Sequence, residues 1–140
     1  EVQGVTGLVD TNYQGKVDAA LDFLERGDFA FVHLEGPDEC GHMGDPGEKI
    51  RAIEHFDQKI LGRLLEAVSE QDLTVVVCCD HLTPIKIRTH APDPVPFMIY
   101  FSKKSFAGVD EFSERTAAST GVFLRQGTDI LQTALKGDLA

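Results

Sequence analysis

Positive charge is scarce in this chain: 13 Lys and Arg stand against 23 Asp and Glu over 140 residues, a formal net charge of -10. That balance opposes binding along a nucleic-acid backbone, so no nucleic-acid partner is expected. It leaves room for an anionic substrate, because bound divalent cations can reverse the sign of the field inside a pocket. Cysteine is sparse as well. Cys40, Cys78 and Cys79 are odd in number and form no C-x-x-C pair, which argues against a disulfide framework and makes the cytoplasm the expected address. No apolar run approaches the roughly 18 residues of a membrane span, and the opening EVQGVTG lacks a basic-then-apolar signal pattern, so no membrane association is expected. An initiator Met is also missing. The chain opens in a Gly/Thr stretch that leads straight into a helix, which reads as part of something longer.

What is present centres on residues 73–101, LTVVVCCDHLTPIKIRTHAPDPVPFMIYF. Two apolar runs, Leu73–Cys79 and Val95–Phe101, carry the β-branched and aromatic residues of buried strands. An unbroken apolar run suits a parallel strand covered by helices on both faces. Ligands of open α/β sheets bind beyond the carboxyl ends of the strands, and Asp80 and His81 fall at such an end.

The rest of the chain is read around that unit. Residues 1–15 form a loop, with a short strand expected at Val5–Val9. Lys16–Arg26 carries a helical apolar stripe stopped by Gly27. Phe29–Leu34 reads as the first core strand. Residues 35–47, with four Gly and two Pro, read as a loop. Glu48–Glu70 is the strongest helix, its stripe running Ile50, Ile53, Phe56, Ile60, Leu61, Leu64, Leu65 and Val68. Weaker helices are expected near 111–118 and over Thr128–Leu135, with Gly137 as a stop. This order, in a chain long enough for one domain with its own core, predicts an α/β layered fold with a mostly parallel sheet.

Five residues carry the candidate chemistry. Asp38 and His42 lie in P-D-E-C-G-H after the first strand, Asp80 and His81 follow the second, and His90 precedes the third. Carboxylate oxygens and imidazole nitrogens are ligands that Zn, Mn or Co ions accept. Five exceed what one catalytic ion usually takes from protein, so two ions become plausible, an arrangement suited to phosphoryl transfer or hydrolysis. Each pair alone has a plainer reading: a capping Asp, a strand-ending Asp, or a His bonded to a carbonyl. Arg88 fits a bidentate phosphate contact or a surface ion pair equally well. His33 is expected in or near the core, Cys78 and Cys79 as packing groups, and His55 has no assigned role.

The segments TGLVDTNYQGK (6–16), FVHLEGPDECGHMGD (31–45), KIRAIEHFDQKI (49–60) and DHLTPIKIRTHAPDPVPF (80–97) resemble the archaeal-type cofactor-independent phosphoglycerate mutases of the alkaline phosphatase superfamily. The resemblance runs over nearly the whole chain, with D-x-x-x-H, D-H and T-H-x-x-D-P-V-P-F in the family's order. It implies an alkaline-phosphatase-like fold and two divalent ions, whether Mn, Zn, Co or Mg. One would be held by Asp38, His42 and His90. The other would be held by Asp80 and His81 together with an Asp and the nucleophilic Ser that lie N-terminal in the family and have no match here. Residues 1–140 would then be the C-terminal part of the catalytic domain, a fragment inactive alone, acting on a phosphoglycerate when completed by the missing N-terminal part. Arg88, and with less support Lys16, would meet substrate charge. Homo-oligomerisation is left open. The alternatives are another phosphotransferase or phosphohydrolase of the superfamily, including homoserine-kinase-like members, and a noncatalytic module.

Overall fold

The first helix, α1 (Tyr13–Leu24), starts where Asn12 turns its side-chain oxygen onto the Gly15 N–H at 2.9 Å, satisfying one of the orphan donors of the first turn. The structure is a computed structural model that describes residues 2–67 and 72–137. Tyr13, Val17 and Ala20 form the buried face of α1. No strand forms at 5–9. There Thr6 N–H donates to Thr11 Oγ1 and the Thr6 hydroxyl to Asp10, local bonds that offer the backbone turns in place of a ladder.

Residues 35–47 are the main surprise. The expected loop is a helix, α2 (Gly36–Met43), joined directly to α3 (Pro46–His55). Its glycines and prolines mark helix ends. Pro37 sits in the first turn of α2 and Pro46 opens α3, where a missing N–H costs nothing. Gly44 ends α2 in the left-handed conformation, φ 72°, and Asp45 then caps α3 by accepting from the Glu48 N–H at 3.0 Å.

The long helix expected from Glu48 is present, but not as a single α-helix. α3 passes into a π-helical turn at Phe56–Leu61 and then α4 (Gly62–Ala67), and the end of the expected span lies outside the described residues. The wider turn rotates the apolar stripe. Ile60 is buried at 2% exposure, whereas Ile50 and Ile53, on the same predicted stripe, are more than half exposed. Ile60 joins Tyr13 and Val17 in the core, with Leu21, Val32, Leu34, Phe56 and Leu64 packed around them.

Phe29–Leu34 forms no ladder among the described residues. It is nonetheless alternating: Val32 and Leu34 turn to the core while Phe29 and Phe31 turn outward. Extended backbone becomes a strand only when a neighbour takes its N–H and C=O groups. His33, on the outward side, is exposed rather than near-core; it stacks on Phe31 and lies 3.7 Å from Glu35.

Residues Glu1–Ala67 with Thr83–Ala91 make one compact unit, and Val68–Leu82 with Pro92–Ala140 a second. In the second, β1 (Thr74–Cys78) and β2 (Phe97–Phe101) pair antiparallel, from Thr74 opposite Phe101 to Cys78 opposite Phe97. Both strands lie where the apolar runs placed them, yet their direction departs from the mostly parallel sheet expected. Residues 79–96 contain no crossover helix to carry the chain back for a parallel pairing. Cys78 and Cys79 are exposed, not packed. α5 (Glu114–Ser119) is capped by Ser113, and α6 (Thr128–Lys136) packs on β1 and ends at Gly137, φ 74°. No helix among the described residues is long and apolar enough to cross a membrane.

Ile60→Ala should destabilise the chain by about 2–5 kcal/mol, the usual cost of a large-to-small change in a core. Leu135→Ala, at a residue 79% exposed, should change stability by less than about 0.5 kcal/mol. Denaturant titration compares the two; equal effects would contradict the assigned core.

Candidate metal centre

Helix formation at residues 36–43 decides how Asp38 and His42 are presented. A spacing of four on a helix puts both side chains on one face, one turn apart. Asp38 stands in the first turn of α2, where the helix dipole favours a carboxylate, and His42 in the last. Asp38 Oδ2 lies 3.2 Å from His42 Nε2.

The third group comes from the segment after Thr83. Pro84 carbonyl accepts from the N–H groups of Ile87 (3.1 Å) and Arg88 (3.0 Å), closing a tight turn. Arg88 exits it with φ 54°, an uncommon conformation for a residue with a side chain. That geometry aims the Arg88 carbonyl at His42 Nδ1, 3.0 Å away. A carbonyl can only accept, so Nδ1 carries a proton there, and Nε2 is the ring atom left to meet an ion. Two residues on, His90 Nε2 reaches 3.1 Å from His42 Nε2 and 3.6 Å from Asp38 Oδ1.

One ligand atom from each of these three residues therefore lies within 4.8 Å of the others. The two imidazole nitrogens are 3.1 Å apart, with Asp38 Oδ2 3.2 Å from His42 and Asp38 Oδ1 3.6 Å from His90, and these separations can be set against a metal's own requirement. Ligands bonded at 2.0–2.2 Å to one ion stand about 3.0–3.5 Å apart between right-angle and tetrahedral arrangements. The residues fit a small divalent cation. With three protein ligands, coordination positions stay open to water or substrate, as in catalytic rather than structural zinc sites. His90 is about half exposed, so the site faces solvent on that side.

Close approach of the two segments needs a residue without a side chain. A Cβ on Gly41 would overlap the Thr83 carbonyl oxygen and come within 2.9 Å of Lys49 Nζ. Lys49, from α3, donates to the Thr83 carbonyl at 2.7 Å, and the Thr83 hydroxyl donates to Asp38 Oδ1. Thr83 and Lys49 were not singled out from sequence; nothing local marks residues whose partners lie 45 and 34 positions away.

The remaining expected residues are placed as follows. Asp80 and His81, just beyond β1 in the second unit, pair with each other: His81 Nε2 lies 3.3 Å from Asp80 Oδ2, and the His81 N–H donates to Asp80 Oδ1. Arg88 is exposed and lies over Gly44, so its carbonyl has a defined task besides any role of its guanidinium. Lys16 Nζ donates to the His33 carbonyl, tying α1 to the extended segment. Cys40 is fully buried, and burial, then the Glu48 and Asp45 carboxylates, push its thiol pKa up, which suits packing and not nucleophilic work.

Residues 1–134 match the family model described as the Metalloenzyme superfamily. The chain belongs to that superfamily. Membership implies divalent-metal binding, and Asp38, His42 and His90 are the group among the described residues that could hold an ion. Among curated relatives, this superfamily member is 43% identical over 139 residues to the 2,3-bisphosphoglycerate-independent phosphoglycerate mutase of Methanothrix thermoacetophila, covering 98% of this chain and 36% of that protein. The enzyme of the same name from Methanosarcina barkeri is 42% identical, with 97% and 35% covered. The second such mutase of Methanothermobacter thermautotrophicus is 54% identical over 98 residues, 70% of this chain and 24% of the relative. A solved structure of a Pyrococcus horikoshii protein superposes with a TM-score of 0.78 at 31% identity, over 84% of this chain and 36% of that one. The family resemblance read from the motifs is met by these relatives. The chain spans about a third of the length of those it matches over nearly its whole extent.

The metal-centre assignment predicts one Zn, Co or Mn ion bound per chain at Asp38, His42 and His90, with affinity falling in acid because the imidazoles must be neutral to bind. Calorimetric titration should show His42→Ala weakening binding by more than about 100-fold. Undiminished affinity in that variant would place the ion elsewhere.

Proposed function

We infer that this chain supplies the metal-binding part of an enzyme that interconverts 2-phosphoglycerate and 3-phosphoglycerate through a phosphoserine intermediate. The observation that carries the reading is the Asp38–His42–His90 cluster within a segment that aligns end to end with mutases. Residues 1–140 are read as the C-terminal part of the catalytic domain, and the alkaline-phosphatase-like layered sheet as that of the completed enzyme.

The roles follow from ligand chemistry. Asp38, His42 and His90 hold one divalent ion. Asp80 and His81, already paired carboxylate to imidazole, contribute to a second. Bound ions would supply Lewis-acid charge against the phosphoryl oxygens and lower the pKa of a nearby hydroxyl. The nucleophilic Ser and the second ion's other ligands belong to the two thirds of the relatives' length outside the matched segment. That Ser takes the phosphoryl group from one glycerate hydroxyl and returns it to the neighbouring one. Arg88, exposed beside the cluster, offers its guanidinium to phosphate or carboxylate. His42 Nδ1 keeps its proton and donates it to the Arg88 carbonyl, so Nε2 is the atom the ring offers, and an ion held there would keep that ring from acid–base work.

The superfamily match is broader than the mutases, so transfer to, or hydrolysis of, another phosphate ester is the second reading. A chimera separates the two. Residues 1–134 replace the corresponding segment of the Methanothrix thermoacetophila mutase, and product is followed from 3-phosphoglycerate and from a simple phosphate ester. The mutase reading predicts chelator-sensitive formation of 2-phosphoglycerate, lost in His90→Ala, and no turnover by the 140-residue chain alone. Ester hydrolysis without mutase activity, or turnover by the chain alone, would overturn it.

A further inference from the structure

The ligand Asp38 has a partner that neither its motif nor the relatives' names assign. Thr83 is buried at 5% exposure, and with Thr11 it is one of two buried polar residues among those described. Its hydroxyl donates to Asp38 Oδ1. Its carbonyl is held by Lys49 Nζ at 2.7 Å, and its methyl group lies against Gly41, so both the backbone and the side-chain rotamer are fixed by contacts with α2 and α3.

A carboxylate on a helix turns about its own bonds and meets an ion with either oxygen. Thr83 limits that freedom by engaging Oδ1: Oδ2 then lies 3.2 Å from His42 Nε2, while the engaged Oδ1 is the oxygen 3.6 Å from His90 Nε2. On the other side of the cluster the Arg88 carbonyl does the same for the His42 ring through Nδ1. Partners of this kind, bonded to the ligands and not to the ion, orient the donors and tune their basicity.

We propose that Thr83 is a positioning residue for the metal centre: its hydroxyl fixes the turn of the Asp38 carboxylate, with Oδ2 toward His42 and Oδ1 toward His90, and Lys49 holds Thr83 in place. This rests on the assignment of Asp38, His42 and His90 as ligands. A purely structural alternative has Thr83 only joining segment 83–91 to α2, a role served by its bulk as well as by its hydroxyl.

Thr83→Val keeps the shape and removes the donor; Thr83→Ser keeps the donor and removes the methyl group. Each variant of the 140-residue chain is titrated with Co(II), recording affinity by competition with a chelating dye and the visible ligand-field spectrum of the bound ion. Affinity should fall about 10–100-fold in Thr83→Val with a changed spectrum, and Thr83→Ser should stay within about threefold of the unaltered chain with its spectrum. Should Thr83→Val fail to fold, Thr83→Ala against Thr83→Ser makes the same comparison of hydroxyl present and absent. Equal losses in the Ser and Val variants, or an unchanged spectrum and affinity in Val, would overturn the positioning role and leave the ligand assignment standing. No Co(II) binding by the unaltered chain would overturn both.

Discussion

The seating of residues 83–90 on helix α2 is the constraint from which the site follows. Two of the candidate ligands come from one face of that helix and the third from the segment, so the cluster exists only where the two meet. Gly41 permits the approach, Lys49 and Thr83 fasten it, and the tight turn after Pro84 returns the chain so that His90 arrives beside His42. The left-handed Arg88 is part of the same arrangement, because its carbonyl fixes the tautomer of His42. Strained backbone held by its surroundings at a chelating site is a recurring pattern.

A cluster built this way is prearranged. Three donors of like affinity for a cation repel or compete for protons when brought to within about 3–4 Å, and holding them there costs free energy that the surrounding hydrogen bonds must offset. An ion bound there would return that cost, so that metal and this part of the fold would stabilise one another. Exposure of His90 and the small number of candidate ligands would leave an ion held there reachable from solvent. The excess of acidic residues over the whole chain does not decide the field at the site, since a bound ion would set it locally.

Periodicity made α1, α6 and both strands legible in the sequence, because their burial is one-sided or complete and writes itself into residue order. Residue types picked out Asp38, His42 and His90, which the fold brings together, and the motif order pointed to the family of the relatives. Helix α2 is hidden by its own punctuation: Gly36, Pro37, Gly44 and Pro46 read as loop residues but stand at helix ends, and Gly41 lies inside the helix where Thr83 approaches. The π turn at Phe56–Leu61 was invisible to a stripe counted in threes and fours, so Ile50 and Ile53 were placed on the wrong side. Strand direction could not be read from apolar runs, which are the same for parallel and antiparallel pairing once both faces are assumed covered. Thr83, Lys49 and Gly41 act through contacts between distant parts of the chain, and sequence spacing carries no trace of them.

Crystals of the chain soaked in Mn(II) or Zn(II) and measured at the metal's absorption edge give the most direct check. The account predicts an anomalous peak within about 2.0–2.3 Å of an Asp38 carboxylate oxygen, His42 Nε2 and His90 Nε2 together. A peak bonded to His42 through Nδ1, or a fully occupied ion that leaves His90 unbound, would contradict it.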